Sequence, residues 1–314
     1  MTGNLAIVTG EDAPNLTQDG RLLAEAFRDA GFAADPVVWT DSGVDWTAFD
    51  VALLRSCWKY YARLDEFRNW LDAVESADVT ILNPPDVVRW NLHKSYLTDL
   101  EAEGVPVVPT EFVRRDGDRR LESILRNRGW EEAVVKPAVG TSAAGVWKTS
   151  AETAGDEQDR FEARFPAARR SGDAASTASD GDQRLSKRGA LVQEFVPAVA
   201  DGERSLVFFA GEFSHAWRSL RAPEELGVDA DFDETERYDP SPGVRQRAAD
   251  AIRAAGGILD VDPTALPYAR VDCVVRDGEF RLMELELVEP YLNLGRKEDA
   301  VETFTTAVES ALGR

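Results

Sequence analysis

Histidine is almost missing from this chain: His93 and His215 are the only two in 314 residues. A zinc cluster or a relay of imidazole bases is thereby close to excluded. Cysteine is equally scarce. Cys57 and Cys273 both sit inside apolar, strand-like runs, which reads as two buried free thiols rather than a disulfide or a nucleophile. No apolar run approaches the roughly 20 residues of a membrane span. The N-terminal Leu5-Ala6-Ile7-Val8 is a short strand-like run without a basic leader, so a soluble cytoplasmic protein is the default expectation. Positive charge is also in short supply, 36 Lys and Arg against 57 Asp and Glu, a net charge of −21. A phosphate backbone or an anionic membrane needs a basic surface, so neither nucleic acid nor membrane is an expected partner. The acids are spread along the chain as a solubilising coat. With Arg favoured over Lys and Asp, Glu and Ala abundant, the composition resembles that of proteins from salt-loving organisms. Chemistry here must run on carboxylates, Lys, Arg and a metal.

The length allows two or three lobes with real cores. Residues 1–88 alternate strand and helix: strands at Leu5–Thr9, Pro36–Trp39, Val51–Leu54 and Val79–Leu82, helices at Gly20–Gly31 and Leu64–Val74. That pattern predicts an α/β fold with a parallel sheet, whose ligands gather at the carboxyl ends of the strands. Arg55 stands at such an end, as a candidate for a substrate carboxylate or as a surface Arg beside a buried Trp. A second lobe, 89–190, holds a helix over Val87–Leu100 with Lys94, the strand Ala133–Lys136, a small-residue loop Gly140–Gly145 and the strand Val146–Thr149. Residues 150–189 turn polar and read as a partly flexible insertion with one short helix near Phe161 and Phe165. The third lobe, 191–314, opens at Leu191–Val196, continues with strands Ser205–Phe209 and Phe213–Arg218 and ends in a helix from about Arg296 to Leu312.

Between them lies Tyr268–Pro290, two strands around a Gly turn. Strand residues two apart share a face, which groups Arg270 with Asp272 and Glu284 with Glu286. A three-residue loop Arg276-Asp277-Gly278 would pair Val275 with Glu279, set Arg270 opposite Glu284 and leave Asp272 diagonal to it. Three carboxylates on one sheet face repel unless something positive lies between them, and hard oxygen donors suit Mg²⁺ or Mn²⁺. A solvated acidic edge hairpin is the other reading. Met283, Leu285 and Leu287 are expected behind the acids.

Lys136 before a two-glycine loop suits phosphate oxygens, because backbone N–H groups can approach closely there. It is not a Walker A loop, lacking the Gly-Lys-Ser/Thr ending. The order is the specific signal: Lys94, Lys136 and its Gly loop, Gln193-Glu-Phe-Val196, Glu203, Arg270-Val-Asp272, then Glu284-Leu-Glu286. This succession resembles the ATP-grasp superfamily (glutathione synthetase, RimK and D-alanine–D-alanine ligase-like enzymes) over nearly the whole chain. The surrounding Arg55-Ser-Cys-Trp58, Asn83-Pro-Pro85 and Met283-Glu-Leu-Glu-Leu-Val-Glu-Pro290 resemble the sub-branch that includes the O-ureidoserine cyclase of cycloserine biosynthesis.

The resemblance implies an N-terminal parallel lobe and two α+β lobes clamping ATP. It implies that Lys94 and Lys136 bind the phosphates and that Gly140, Thr141, Ser142 and Gly145 close over them. Gln193, Glu194, Phe195 and Val196 would face the adenine and Glu203 the ribose, although an acid after Gly is also an ordinary turn residue. Arg270 and Lys136 would act in catalysis, and Asp272, Glu284 and Glu286 would bind Mg²⁺ or Mn²⁺. Most of the superfamily has Asn where this chain has Glu286, which should tighten metal binding. Arg218 and Arg221 could contact substrate or be solvated, and His215 reads as structural. The implied activity is an ATP- and magnesium-dependent carboxylate–amine ligase forming an acyl phosphate. Its alternatives are an intramolecular cyclase of an amino-acid derivative and a non-catalytic ATP-binding regulatory protein. Partners would be small carboxylate and amine substrates and, as in many relatives, a second copy in a homodimer. The acidic coat predicts that the chemical or thermal midpoint of unfolding rises from dilute buffer to molar KCl; a midpoint indifferent to salt would remove the salt-adaptation reading.

Overall fold

The computed structural model describes residues 3–113, 120–141, 145–163, 189–219 and 235–314. Strands β1 (Asn4–Thr9), β2 (Ala33–Val38), β3 (Val51–Ser56) and β4 (Thr80–Leu82) form a parallel sheet in the order β2-β1-β3-β4. β1 and β3 are apolar along most of their length because both faces are covered. On one face Leu5, Ile7 and Leu53 meet Leu23 and Phe27 of helix α1 (Gln18–Asp29) and Phe304 of the C-terminal helix Ala300–Ala311. On the other, Ala6, Val8 and Leu54 meet Phe67, Leu71 and Val74 of helix α2 (Leu64–Ser76).

Two antiparallel sheets follow. β5 (Thr110–Val113), β6 (Glu132–Pro137), β7 (Trp147–Ser150) and β8 (Ala190–Glu194) are ordered β5-β8-β6-β7. The segment from Leu191, expected to open the third lobe, instead hydrogen-bonds into this sheet, with Leu191 opposite Lys136. Of the insertion expected at 150–189, the described part ends in a short helix, Gln158–Glu162, whose Phe161 is buried in this sheet's core. Residues 164–188, Phe165 among them, lie outside the described residues. The last sheet orders β9 (Glu203–Phe209), β10 (Glu212–Ser219), β11 (Thr235–Arg237), β12 (Ala269–Arg276) and β13 (Glu279–Glu286) as β11-β10-β9-β12-β13.

Three local readings change. The helix expected over Val87–Leu100 is two helices, α3 (Pro85–Asn91) and α4 (Tyr96–Ala102), with Lys94 in the break. Its backbone N–H donates to Ala138 O at 2.7 Å instead of to a carbonyl one turn back. The β12–β13 turn holds two residues, Asp277 and Gly278, both with positive φ, and Arg276 pairs with Glu279. A bulge at Met283 then sets Asp272 opposite Glu284 and Arg270 opposite Glu286. Counted back from this turn without the bulge, Asp272 would face Met283 and the glutamates would point to the other side. The closing helix starts at Ala300, after a 3₁₀ turn at Leu294–Arg296. One helix, Pro242–Leu259, escaped the sequence reading. It has a Ser241 cap, Pro242 in its first turn, and Val244, Ala248, Ala251, Ile252 and Ala255 at helical spacing against Val271, Cys273 and Leu282.

β13 is an edge strand, and neighbouring segments satisfy its outer groups. Leu282 exchanges hydrogen bonds with the Pro106–Val108 connector. Asn91 donates to Leu285 O at 2.7 Å and accepts from Leu287 N at 2.8 Å. Deeper in, the fully buried Asn83 donates to Tyr268 O (3.0 Å) and Leu287 O (2.7 Å), joining the parallel sheet to both strands of the hairpin. Asn83→Ala leaves two buried carbonyls unpaired and is expected to destabilise the protein by about 2 kcal/mol or more; chemical denaturation showing no loss would contradict this.

Candidate active site

The sheets enclose a cavity of about 580 Å³. Lys94, Lys136, Arg270, Asp272, Glu284 and Glu286 all line it, as do Gly140, Thr141, the run Gln193–Val196 and Glu203. Lys94 enters from the α3–α4 break, Lys136 from β6, and the acids and Arg270 from the hairpin. Sequence distance is large and spatial distance short.

Lys94 Nζ is 2.6 Å from Glu284 Oε2, and Lys136 Nζ is 3.4 Å from Oε1 of the same carboxylate. Burial alone would raise the Glu284 pKa, but the two ammonium groups overturn that and lower it to about 2. Arg270 donates through Nε and Nη2 to both oxygens of Asp272 (2.9–3.1 Å) and through Nη2 to Glu286 Oε1 at 2.6 Å. Its Nη1 donates to Tyr291 O at 3.0 Å. Burial would lower the guanidinium pKa; Asp272 and Glu286 more than reverse this. They raise it. Ser205 Oγ completes Asp272, donating to Oδ1 at 2.7 Å. Glu286 and Glu203 differ from Glu284. Burial, reinforced by nearby acids, pushes both up to about 7.

Among the described residues no three acidic, histidine or cysteine side chains stand together as a metal-holding group. Asp272, Glu284 and Glu286 are each engaged by a protein cation. Their chemistry is all hard oxygen, which fits Mg²⁺ or Mn²⁺.

Away from the charges the walls are apolar. Gln193 is buried and donates to Thr110 Oγ1 at 3.0 Å. Lys148 Nζ lies 3.8 Å from the centre of the Phe195 ring. Met283, expected behind the acids, lines the cavity because it is the bulged residue. Ser205 and Tyr96 also line it and were missed; only their neighbours in the fold reveal them.

Other candidates lie elsewhere. Arg55 is buried outside the lining, with Nη2 donating to Pro290 O at 2.6 Å and its guanidinium 5.2 Å from the Tyr268 ring. Arg218 pairs with Glu236 and also does not line the cavity. Gly145 takes a positive φ and is not part of the wall. Ser142 and Arg221 lie outside the described residues. His215 is buried, with Nε2 2.8 Å from Leu292 O, in keeping with a structural role.

Residues 5–83 match a family described as "D-cycloserine synthetase DcsG, N-terminal domain". The cycloserine biosynthesis protein DcsG of Streptomyces lavendulae is 32% identical over 319 residues, covering 99% of each chain. The crystal structure of D-cycloserine synthetase DcsG superposes with a TM-score of 0.86 at 31% identity, over 99% of this chain and 100% of that one. A RimK domain ATP-grasp protein from Sphaerobacter thermophilus gives a TM-score of 0.66 at 18% identity, over 97% and 98% of the two chains. D-alanine–D-alanine ligase from Bacillus anthracis gives 0.63 at 15%, over 98% and 97%. The last two share the fold.

The raised Glu203 pKa has a definite sign. Between about pH 4.5 and 7 the ligand-free native state holds a proton that the unfolded chain has released, so stability falls as pH rises through that window. Glu203→Gln is expected to flatten that fall in denaturation midpoints measured from pH 5 to 8. An unchanged slope would remove Glu203 as its source.

Proposed function

Since the chain belongs to the D-cycloserine synthetase DcsG family of ATP-grasp ligases, we propose that it uses ATP to activate the carboxyl group of a small amino-acid-like substrate for attack by nitrogen. The carboxylate oxygen attacks the γ-phosphorus, ADP leaves, and an acyl phosphate results. A nitrogen nucleophile then displaces phosphate, forming the C–N bond and releasing a proton. The observation that carries this reading is the convergence of Lys94, Lys136 and Arg270 with Asp272, Glu284 and Glu286 in one cavity beside the Gln193–Val196 strand. Phosphoryl transfer needs positioning and charge neutralisation rather than a protein nucleophile. Lys94 and Lys136 supply positive charge for the phosphates, and Arg270 for the group in transfer. The Gln193–Val196 edge and Glu203 receive the base and the ribose. Asp272, Glu284 and Glu286 would hold magnesium, which supplies charge neutralisation between phosphate oxygens. The apolar walls exclude water that would hydrolyse the acyl phosphate.

The nitrogen comes either from a second molecule, making the enzyme a carboxylate–amine ligase, or from the substrate itself, making it a cyclase. The full-length match to a relative named for cycloserine favours the cyclase. ADP release from ATP and Mg²⁺ in concentrated KCl separates them, with amino acids and O-ureidoserine offered singly and in pairs. Stimulation by one compound alone is the cyclase result, and stimulation only by a pair is the ligase result. Silence across the panel would defeat both. In the stimulated reaction Glu286→Gln is expected to lower turnover at least about 100-fold while equilibrium dialysis still finds ATP bound. Unaltered turnover would remove Glu286 from the site.

A further inference from the structure

The nucleotide reading leaves several residues around the cavity without a part. Thr17, Trp58, Tyr60, Trp217, Glu289 and Tyr291 line it, and none has a part in holding ATP in that reading. In the parallel-sheet lobe, Thr17 caps α1, Trp58 follows β3 and Tyr60 opens a 3₁₀ turn. Glu289 and Tyr291 come from the segment that runs back to that lobe from β13. The segment is clamped from two sides, by Arg55 on Pro290 O (2.6 Å) and by Arg270 on Tyr291 O (3.0 Å).

Glu289 is only 8% exposed, and its Oε2 has no hydrogen-bond partner. An unpaired buried carboxylate is costly. The cavity offers it no cation that is not already paired. Its lining cations are Lys94, Lys136 and Arg270, all engaged by Asp272, Glu284 and Glu286. Arg55 attracts Glu289 from outside the lining and Arg270 from within it, and the Cys57 backbone N–H helps keep it charged. Burial and the Glu286 charge outweigh all three and raise its pKa. Tyr60 lies near it, and the same cavity has further aromatic lining: Tyr60 and Trp217 are buried, and Trp58 is half-buried. A carboxylate among aromatic faces is the chemistry that recognises an ammonium group, through an ion pair and cation–π attraction together.

We infer that Glu289 receives the primary ammonium of the substrate, with Trp58, Tyr60 and Trp217 around it, and so selects amino acids over their des-amino counterparts. This deepens the proposed function and rests on it, because it assumes that the reacting end of the same molecule lies at the phosphates. Glu289 then sets which carboxyl group is presented for activation.

The test is calorimetric titration of wild type and Glu289→Gln, both saturated with ADP and Mg²⁺. The ligands are D-cycloserine, D- and L-serine and D-alanine, each beside its des-amino form (isoxazolidin-3-one, 3-hydroxypropionate, propionate). The expected result has three parts. At least one amine-bearing ligand binds wild type at least 10-fold more tightly than its des-amino form. Glu289→Gln weakens that ligand at least 10-fold, and the des-amino form binds both proteins alike. The inference is overturned if amine and des-amino forms bind wild type alike, if no amine binds, or if Glu289→Gln keeps full affinity. ADP affinity, measured in the same proteins, guards against misfolding of the variant. Should the variant misfold, the comparison of ligand pairs on wild type alone decides. Failure of wild type to bind ADP would defeat the nucleotide reading, whereas failure of amine selectivity with ADP bound defeats only the role of Glu289.

Discussion

Acids gathered on one face of a hairpin can be buried only if cations are buried with them, and this constraint organises the molecule. Asp272 and Glu286 are met by Arg270 from their own sheet. Glu284 is met by two lysines from elsewhere, Lys94 in the α3–α4 break and Lys136 on β6. Removing one partner of a buried pair typically costs about 3–5 kcal/mol because the other charge stays behind. The cluster therefore joins three parts of the chain that a loose arrangement would leave to move separately. The broken helix makes sense in this light. A continuous helix over Val87–Leu100 would keep the Lys94 N–H in its own ladder, whereas here that N–H reaches Ala138 just past the end of β6.

What was legible in the sequence followed from periodicity and order. The parallel lobe shows itself in short apolar runs separated by amphipathic helices, and its four strands lie where the pattern places them. The grouping of Arg270 with Asp272, and of Glu284 with Glu286, was also readable, because residues two apart along a strand share a face. Register was not. Whether the turn holds two residues or three, and whether a bulge compensates, depends on backbone conformation at Asp277, Gly278 and Met283. The expected three-residue loop and the observed turn with its bulge put the acids on the same face but give Arg270 different partners. Leu191–Glu194 went to the wrong sheet because sheet membership is set by pairing with residues some 55 or 80 positions away. The helix Pro242–Leu259 was a plain omission, since its cap and spacing are both visible. Arg55 shows the opposite limit. Its place at a strand end is as expected, but an element from the far end of the chain, Pro290, covers it.

Glu203, Glu286 and Glu284 show how little of a group's acidity is its own. All three are glutamates lining one cavity, yet one is held near 2 and two are pushed to about 7. The difference is the two ammonium groups on Glu284. In the proposed reading those groups are the ones phosphate oxygens would take, so nucleotide and Glu284 compete for the same charge. Without its lysines, Glu284 keeps its burial penalty and loses its compensation. It must then take up a proton or find another cation. In the proposed reading, a carboxylate set built only of hard oxygens would answer that need with a divalent ion bound alongside the phosphates. In that reading, phosphate binding and metal binding would be coupled through one side chain, Glu284. Drawing the two lysines to a polyanion would then call for a cation at Glu284 in their place.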